Sequence, residues 1–96
     1  MTNNMRPIHP GEHLSDELNT RGLTANAFAQ AINVTPTRIS EIIKGKRGIT
    51  VDTALRLARY FGGTPEFWLN LQMNYELKIA RKTLLPKINQ SIQHVA

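Results

Sequence analysis

Residues 25–45 read ANAFAQAINVTPTRISEIIKG, a stretch in which apolar residues recur at helical spacing before and after an asparagine. Asn33 tolerates the left-handed backbone conformation that a tight turn requires. Thr35 is a preferred helix cap, and Pro36 suits the first position of the helix that follows. The stretch therefore predicts two short helices joined by a sharp turn, with the second helix ending at Gly45.

Four positions in this stretch have the spacing that a helix-turn-helix requires. Ala29 gives the first helix a small residue where the second crosses it, and Asn33 allows the bend. Ile39 and Ile42 are branched apolar residues that can hold the second helix against the domain. Each feature alone is common, but together they indicate a helix-turn-helix at about residues 25–44. A helical hairpin without functional consequence is the alternative.

Caps and helix breakers mark three further helices in the rest of the chain. They span about residues 10–21, 51–61 and 65–85, the last being long and ended by a proline. No segment alternates with period two, so we expect an all-α domain of five helices without a sheet. We assign residues 1–8 to an N-terminal arm, 9–85 to the domain and 86–96 to a flexible tail.

Composition narrows the classes of partner and compartment. The 96 residues suffice for one folded domain, and the net charge of +5 favours nucleic acid, an anionic membrane or an acidic protein as partner. The absence of cysteine excludes disulfides and sulfur-ligated zinc. No apolar run approaches the roughly 20 residues that span a bilayer, and the amino terminus lacks an apolar signal core. We therefore expect a soluble cytoplasmic protein without a membrane partner.

The second helix of the pair should have one buried face and one open face. If its isoleucines are buried, its polar side lies outward, where side chains near the helix start can reach base edges in the major groove. Glu41 is the least favourable member, because a carboxylate repels the duplex unless it accepts from a cytosine amino group or pairs with Lys44 or Arg38. We expect base contacts from Thr35, Pro36, Thr37, Ser40 and Glu41.

Cations and a helix end beside this face predict contacts to DNA phosphates. The loop GKRGI at residues 45–49 combines two cations with glycines that let the backbone approach a phosphate closely. The amino end of the first helix should present free N–H groups to a second phosphate. We expect phosphate contacts from Thr24, Asn26, Arg38, Lys44, Lys46 and Arg47. For each of these polar residues, an ordinary solvated surface is the alternative.

Two blocks of sequence outside this stretch resemble a known family. IHPGEHL at residues 8–14 and GITVDTALRLARYFGGTPEFWLNLQMNYEL at residues 48–77 are similar to the HigA group of antitoxins, within the phage-repressor-like (Xre, Cro and CI) helix-turn-helix superfamily. The resemblance covers about residues 8–82, and the superfamily's usual turn residue is glycine where this chain has Asn33.

The resemblance implies a function in a bacterial toxin–antitoxin module. Such an antitoxin neutralises a HigB-type toxin, a ribosome-dependent mRNA endonuclease of the RelE kind, and represses its own operon as a dimer. DNA contacts carried over from the family fall on Thr35 to Lys44.

The long last helix predicts a homodimer through its apolar pattern. At about 100° per residue it has two apolar stripes nearly opposite each other. The first comprises Trp68, Leu71, Tyr75 and Ile79, and the second Leu69, Met73, Leu77, Ala80 and Leu84. One stripe can pack on the domain and the other is then free to form a dimer interface, which we assign to the second stripe. The first stripe as the interface, and a helix sunk deeply in a monomer, are the alternatives. Two recognition helices about 34 Å apart would then imply an inverted-repeat operator.

Catalytic and metal-binding interpretations are weak. His9 and His13 are four residues apart, but no third ligand is near, so a packing or hydrogen-bonding role at the helix start is favoured. No nucleophile elbow, phosphate loop or carboxylate pair is present, so we expect a non-enzyme without cofactor or metal. Two alternatives stay open: a stand-alone phage-type repressor, and a toxin-binding module that does not read DNA, which Glu41 favours.

Overall fold

The computed structural model describes residues 6–95, a range that contains six α-helices and no strand. The helices are α1 Pro10–Arg21, α2 Ala25–Ala31, α3 Pro36–Ile43, α4 Val51–Phe61, α5 Pro65–Thr83 and α6 Leu85–Ser91. The all-α prediction is confirmed, and the five predicted helices are all present. Residues 1–5 of the predicted N-terminal arm and residue 96 of the predicted tail lie outside the described range. Among the described residues, none of the helices is long and apolar enough to cross a membrane.

The segment predicted as a flexible tail contains the sixth helix. α5 ends at Thr83, as a breaker nearby predicts, but Pro86 then lies in the first turn of α6. Proline is tolerated there because the N–H groups of a first turn have no intrahelical acceptor in any case. The predicted count of five helices is therefore one too low, because a proline that ends one helix can also begin the next.

Four of the helices begin at a threonine. In each case the hydroxyl oxygen accepts a hydrogen bond from the backbone N–H three residues later, a bond that contributes about 1 kcal/mol of helix stability. These caps are Thr24, Thr35, Thr50 and Thr64, at the starts of α2, α3, α4 and α5. Helix starts are thus fixed by local sequence, which explains why their predicted positions agree with the structure.

The core forms where α1, α4 and α5 enclose the helix-turn-helix. Ile39 and Ile42 of α3 are completely buried, as is Ala29 of α2 at the crossing of the two helices. The other buried apolar residues of this cluster are Leu14, Leu18, Phe28, Ile32, Ile49, Ala54, Leu57 and Trp68. The predicted anchoring of α3 by its isoleucines is therefore confirmed.

The turn between α2 and α3 is held by α4. Asn33 has a φ of 59°, the left-handed conformation that the sequence predicts. The Arg56 guanidinium of α4 donates to the carbonyl oxygens of Ile32 and Asn33, at 2.8 and 3.3 Å. These carbonyls follow the last turn of α2 and lack helical partners, so Arg56 satisfies acceptors that would otherwise depend on water.

The first turn of α1 lies directly against the end of α3. A Cβ atom placed on Gly11 would lie far inside van der Waals contact with the carbonyl oxygen of Ile42. Glycine is required here by this close approach of two backbones rather than by an unusual φ. The contact sets how closely α1 can support the end of α3.

Gly11→Ala should therefore lower the free energy of unfolding by about 1–3 kcal/mol, because the two backbones must separate. The direction of this change is informative, because replacing glycine by alanine at an open helical position normally raises the free energy of unfolding by roughly 1 kcal/mol. Urea denaturation measures the difference. Asn19→Ala, at an exposed position of the same helix, serves as the control and should change stability by no more than about 0.5 kcal/mol. A Gly11→Ala protein as stable as the parent would contradict the contact.

His9 caps α1 through a ring nitrogen. Its Nδ1 atom accepts a hydrogen bond from the Gly11 N–H at 2.9 Å, and its ring meets the Tyr75 ring edge-on at 4.8 Å. Burial lowers the pKa of His9, against the opposing effects of the Glu12 carboxylate and the Arg47 backbone. The predicted packing and hydrogen-bonding role at the helix start is thus confirmed. Among residues 6–95, no three potential metal-ligating side chains cluster.

The lowered pKa of His9 makes stability depend on pH. The unfolded chain, in which a histidine titrates near pH 6.5, binds more protons than the folded chain, so stability is full above that pH and falls below it. His9→Asn keeps a side-chain acceptor at the cap and removes the titration. The decrease in Tm between pH 7 and pH 5.5 should therefore be smaller in His9→Asn than in the parent. An equal decrease in the two proteins would refute the assignment.

Candidate nucleic-acid interface

The outer sides of α2 and α3 enclose an open groove of about 580 Å³. It is lined by Thr24, Ala25, Asn26, Pro36, Thr37, Ser40, Glu41, Lys44 and Lys46. Eight of these nine residues are predicted from the sequence to contact bases or phosphates, Ala25 being the exception. The structure therefore brings most of the predicted contact residues to one surface, which we call the α2–α3 groove.

The orientation of this groove follows from the packing of α3. Because Ile39 and Ile42 are fully buried, the opposite side of the helix must face solvent. Thr37 is exposed near the helix start, and Ser40 is half-buried one turn later. Thr35 and Pro36 are also exposed, although the Thr35 hydroxyl is engaged in capping α3. Thr37 and Ser40 thus carry the accessible short hydroxyls of the helix.

The Glu41 carboxylate, which would repel DNA phosphates, is paired with an arginine of the loop that follows α3. The Nε and Nη2 atoms of Arg47 lie 2.9 and 2.8 Å from one oxygen of Glu41. The sequence suggested Lys44 or Arg38 as the partner of Glu41, and the structure pairs it with Arg47 instead. Among residues 6–95, Lys44 and Lys46 make no ion pair, so their charges face solvent unopposed.

Arg38 points toward α4 rather than along the groove. Its Nη1 atom lies 2.7 Å from Asp52, and the same Asp52 oxygen accepts from Arg56 Nε at 3.0 Å. These hydrogen bonds, from Arg56 first and then Arg38, lower the pKa of Asp52. An Arg38 contact to phosphate stays a prediction, and it requires the side chain to leave Asp52 or to reach past it.

Two residues that position this site were not predicted from the sequence. Asp52 connects Arg38 of α3 to Arg56 of α4, and Arg56 continues to the turn carbonyls. Asp52 and Arg56 are four apart on α4, the spacing of a helical ion pair, so part of this network was visible as a local signal. Its extension to α3 depends on tertiary packing and had no local signal.

The second apolar stripe of α5 is open over most of its length. Met73, Leu77 and Leu84 are 56%, 41% and 53% exposed, whereas Leu69 packs against the core and Ala80 is half-buried. The first stripe begins with buried Trp68 and continues through half-buried Leu71 and Tyr75 to exposed Ile79. α6 adds further exposed apolar side chains, Leu85 and Ile88. The C-terminal part of the chain therefore presents an apolar surface that its own domain leaves uncovered.

Comparison with known proteins identifies the family. The family model described as Helix-turn-helix matches residues 14–69. Virulence-associated protein I of Dichelobacter nodosus is 56% identical over 81 residues, which cover 83% of this chain and 75% of that protein. The sequence similarity therefore extends beyond the helix-turn-helix itself.

Solved structures agree over nearly the whole chain. An addiction module antidote protein of the HigA family from Coxiella burnetii is 48% identical, with a TM-score of 0.89 over 95% of this chain and all of that one. The Pseudomonas aeruginosa antitoxin HigA, solved with the higBA promoter, is 39% identical, with a TM-score of 0.90 and the same coverage of both chains. The chain belongs to the helix-turn-helix family and, within it, to the HigA group of antitoxins.

Proposed function

We propose that this antitoxin represses its own operon by binding an inverted-repeat operator as a homodimer, and that it neutralises a HigB-type toxin of the RelE kind. The observation that carries the proposal is the α2–α3 groove, in which short polar side chains of α3 lie between two unpaired lysines and a helix start. The related Pseudomonas aeruginosa antitoxin, solved with the higBA promoter, supports operator binding. This function belongs in the bacterial cytoplasm, where DNA and mRNA are accessible.

Within the groove we assign some residues to contacts with base edges and others to contacts with phosphates. Thr37 and Ser40 reach base edges, together with Thr35 and Pro36 at the helix start, and Glu41 accepts from a cytosine amino group when Arg47 turns to a phosphate. Lys44, Lys46 and Arg47 bind phosphates, as do Arg38 once it leaves Asp52 and the start of α2 at Thr24 and Asn26.

The exposed apolar stripe of α5 is the proposed dimer interface. Its residues are Leu69, Met73, Leu77, Ala80 and Leu84. The exposure of Met73, Leu77 and Leu84 supports this assignment, because monomeric proteins rarely leave a contiguous row of large apolar side chains in water. A two-fold dimer would also carry two copies of α3, which an inverted repeat requires.

We propose no catalytic role for the chain, which is similar to an antitoxin solved with promoter DNA. The alternative of a toxin-binding module without DNA binding has little support, because Glu41, the residue that favoured it, is paired with Arg47 in the free protein and accepts from a cytosine amino group in the complex proposed above. A stand-alone repressor would have the same DNA-binding features. A toxin gene adjacent to the gene of this chain would favour the antitoxin over the stand-alone repressor.

Two single substitutions should separate base reading from phosphate binding. Thr37→Ala should lower affinity for the operator by about 1–3 kcal/mol, with little effect on a scrambled duplex, because alanine cannot hydrogen-bond to a base edge. Lys46→Ala should weaken binding to both duplexes and reduce the slope of log K against log salt by about 0.9 for each phosphate that it no longer neutralises. Fluorescence anisotropy at several salt concentrations measures both effects. If the parent protein binds the operator and the scrambled duplex equally, the proposal of specific repression fails. If the salt slope of Lys46→Ala equals that of the parent, Lys46 does not contact a phosphate.

Charge placed on the apolar stripe should disrupt the dimer. Met73→Lys combined with Leu77→Lys should convert the protein to a monomer, because two ammonium groups would be buried without partners. Sedimentation equilibrium measures the mass. Leu55→Lys, at a position of α4 with 55% exposure, provides a control for an added charge elsewhere and should leave the dimer intact. A doubly substituted protein with the mass of the parent would contradict this interface.

A further inference from the structure

The positive charge of the chain is concentrated at its C-terminal end. The last twenty residues, 77–96, contain four lysines and arginines and no aspartate or glutamate. This segment therefore supplies +4 of the net charge of +5, although the α2–α3 groove lies elsewhere in the fold. The predicted DNA contacts do not account for this charge.

Three of the four cations lie on one side of α5. At about 100° per residue, Lys78, Arg81 and Lys82 fall on the same face as Asn74, between the first and second apolar stripes, with Lys82 at the edge of the first. Together with Asn74 and Leu77 they line a shallow groove of about 530 Å³. Glu76, the nearest carboxylate in sequence, falls on the opposite side of the helix. We call Lys78, Arg81 and Lys82 the α5 basic face.

The α5 basic face is free of internal ion pairs. Among residues 6–95, the ion-paired arginines are Arg6, Arg21, Arg38, Arg47 and Arg56. Lys78, Arg81 and Lys82 make no such pair, a property they share with Lys44 and Lys46 of the α2–α3 groove. The charges of the basic face are therefore available to an external anion.

One residue of the α5 basic face, Lys78, lies near the part of the domain that carries the GKRGI loop. Lys78 also lines a neighbouring groove with Arg6, His9 and Tyr75. The His9 ring in turn lies 3.9 Å from where a Cβ of Gly45 would stand, at the start of the GKRGI loop. The same loop is attached to α5, since the Ile49 N–H donates to the Gln72 side chain at 2.8 Å. The second half of α5 thus begins about one turn after the residue that contacts the GKRGI loop.

We propose that the α5 basic face is a second phosphate-binding surface, which holds the backbone of the same DNA outside the contacts of the helix-turn-helix. The inference rests on the DNA binding proposed above. Lysine is depleted in protein–protein interfaces, whereas lysine and arginine are the usual partners of phosphate. The groove also offers only Leu77 as an apolar anchor, too little for a protein hot spot. DNA therefore fits the face better than an acidic protein does.

The test compares two double variants of the full chain that remove equal charge. Arg81→Gln with Lys82→Gln neutralises the basic face, and Arg59→Gln with Lys87→Gln neutralises two cations outside it. Binding to operator and scrambled duplexes is measured by fluorescence anisotropy across a salt series. The basic-face variant should show a salt slope reduced by about 0.9 for each phosphate that is no longer neutralised, on both duplexes, with the operator preference unchanged. The control variant should keep nearly the parent slope.

The outcomes separate this inference from the proposed function. Equal slopes in the two variants, or a basic-face variant with the parent slope, would overturn the second surface while leaving operator recognition intact. Unchanged DNA binding with weakened binding to the cognate HigB-type toxin would assign the face to a protein partner and also overturn the inference. If the parent does not prefer the operator, the proposed repression fails, and the slopes on scrambled DNA still decide the role of the face. Thermal melts confirm that both variants fold.

Discussion

The burial of Ile39 and Ile42 fixes the rotation of α3 about its own axis, and the geometry of the whole interface depends on that rotation. Each fully buried isoleucine contributes about 1.5–3 kcal/mol relative to an exposed one. A rotation of α3 by one residue, about 100°, would move these side chains out of the core and bring in Ser40 in one direction, or Arg38 and Glu41 in the other. Both changes are unfavourable, so the polar side of the helix is held outward even without DNA.

The arginines and lysines of this small protein differ in how they are paired. The arginines Arg38, Arg47 and Arg56 are engaged with carboxylates, and Arg56 also holds the turn. Such exposed pairs contribute little to stability, yet they position α3, α4 and the following loop relative to one another. Within the part of the chain that the structure describes, Lys44 and Lys46 of the α2–α3 groove make no ion pair, and neither do Lys78 and Lys82 of α5. Among residues 6–95, the lysine and arginine side chains that make ion pairs are thus all arginines, and Arg81 joins the lysines among the unpaired cations.

The sequence predicted those features that local chemistry determines. Threonine caps, the first-turn prolines and the spacing of Ala29, Asn33, Ile39 and Ile42 placed the helix-turn-helix and its open face. Contacts between distant segments were not predictable, because they depend on how closely the backbones pack and which rotamers that packing allows. The approach of Gly11 to Ile42, the Glu41–Arg47 pair and the Arg38–Asp52 pair belong to this class. Helix α6 was missed for a different reason, since Pro86 can end one helix and begin another.

A nuclear magnetic resonance titration with a short operator half-site duplex tests the central claim most directly. It should use protein with ¹⁵N-labelled backbone amides, whose shifts report the DNA-contacting surface residue by residue. The account predicts that the largest shift changes fall on the outward side of α3, residues 35–44, and on the loop at 45–48, while the amides on the buried side of α4 change little. Largest changes confined to α4 or α1, with α3 unaffected, would contradict it.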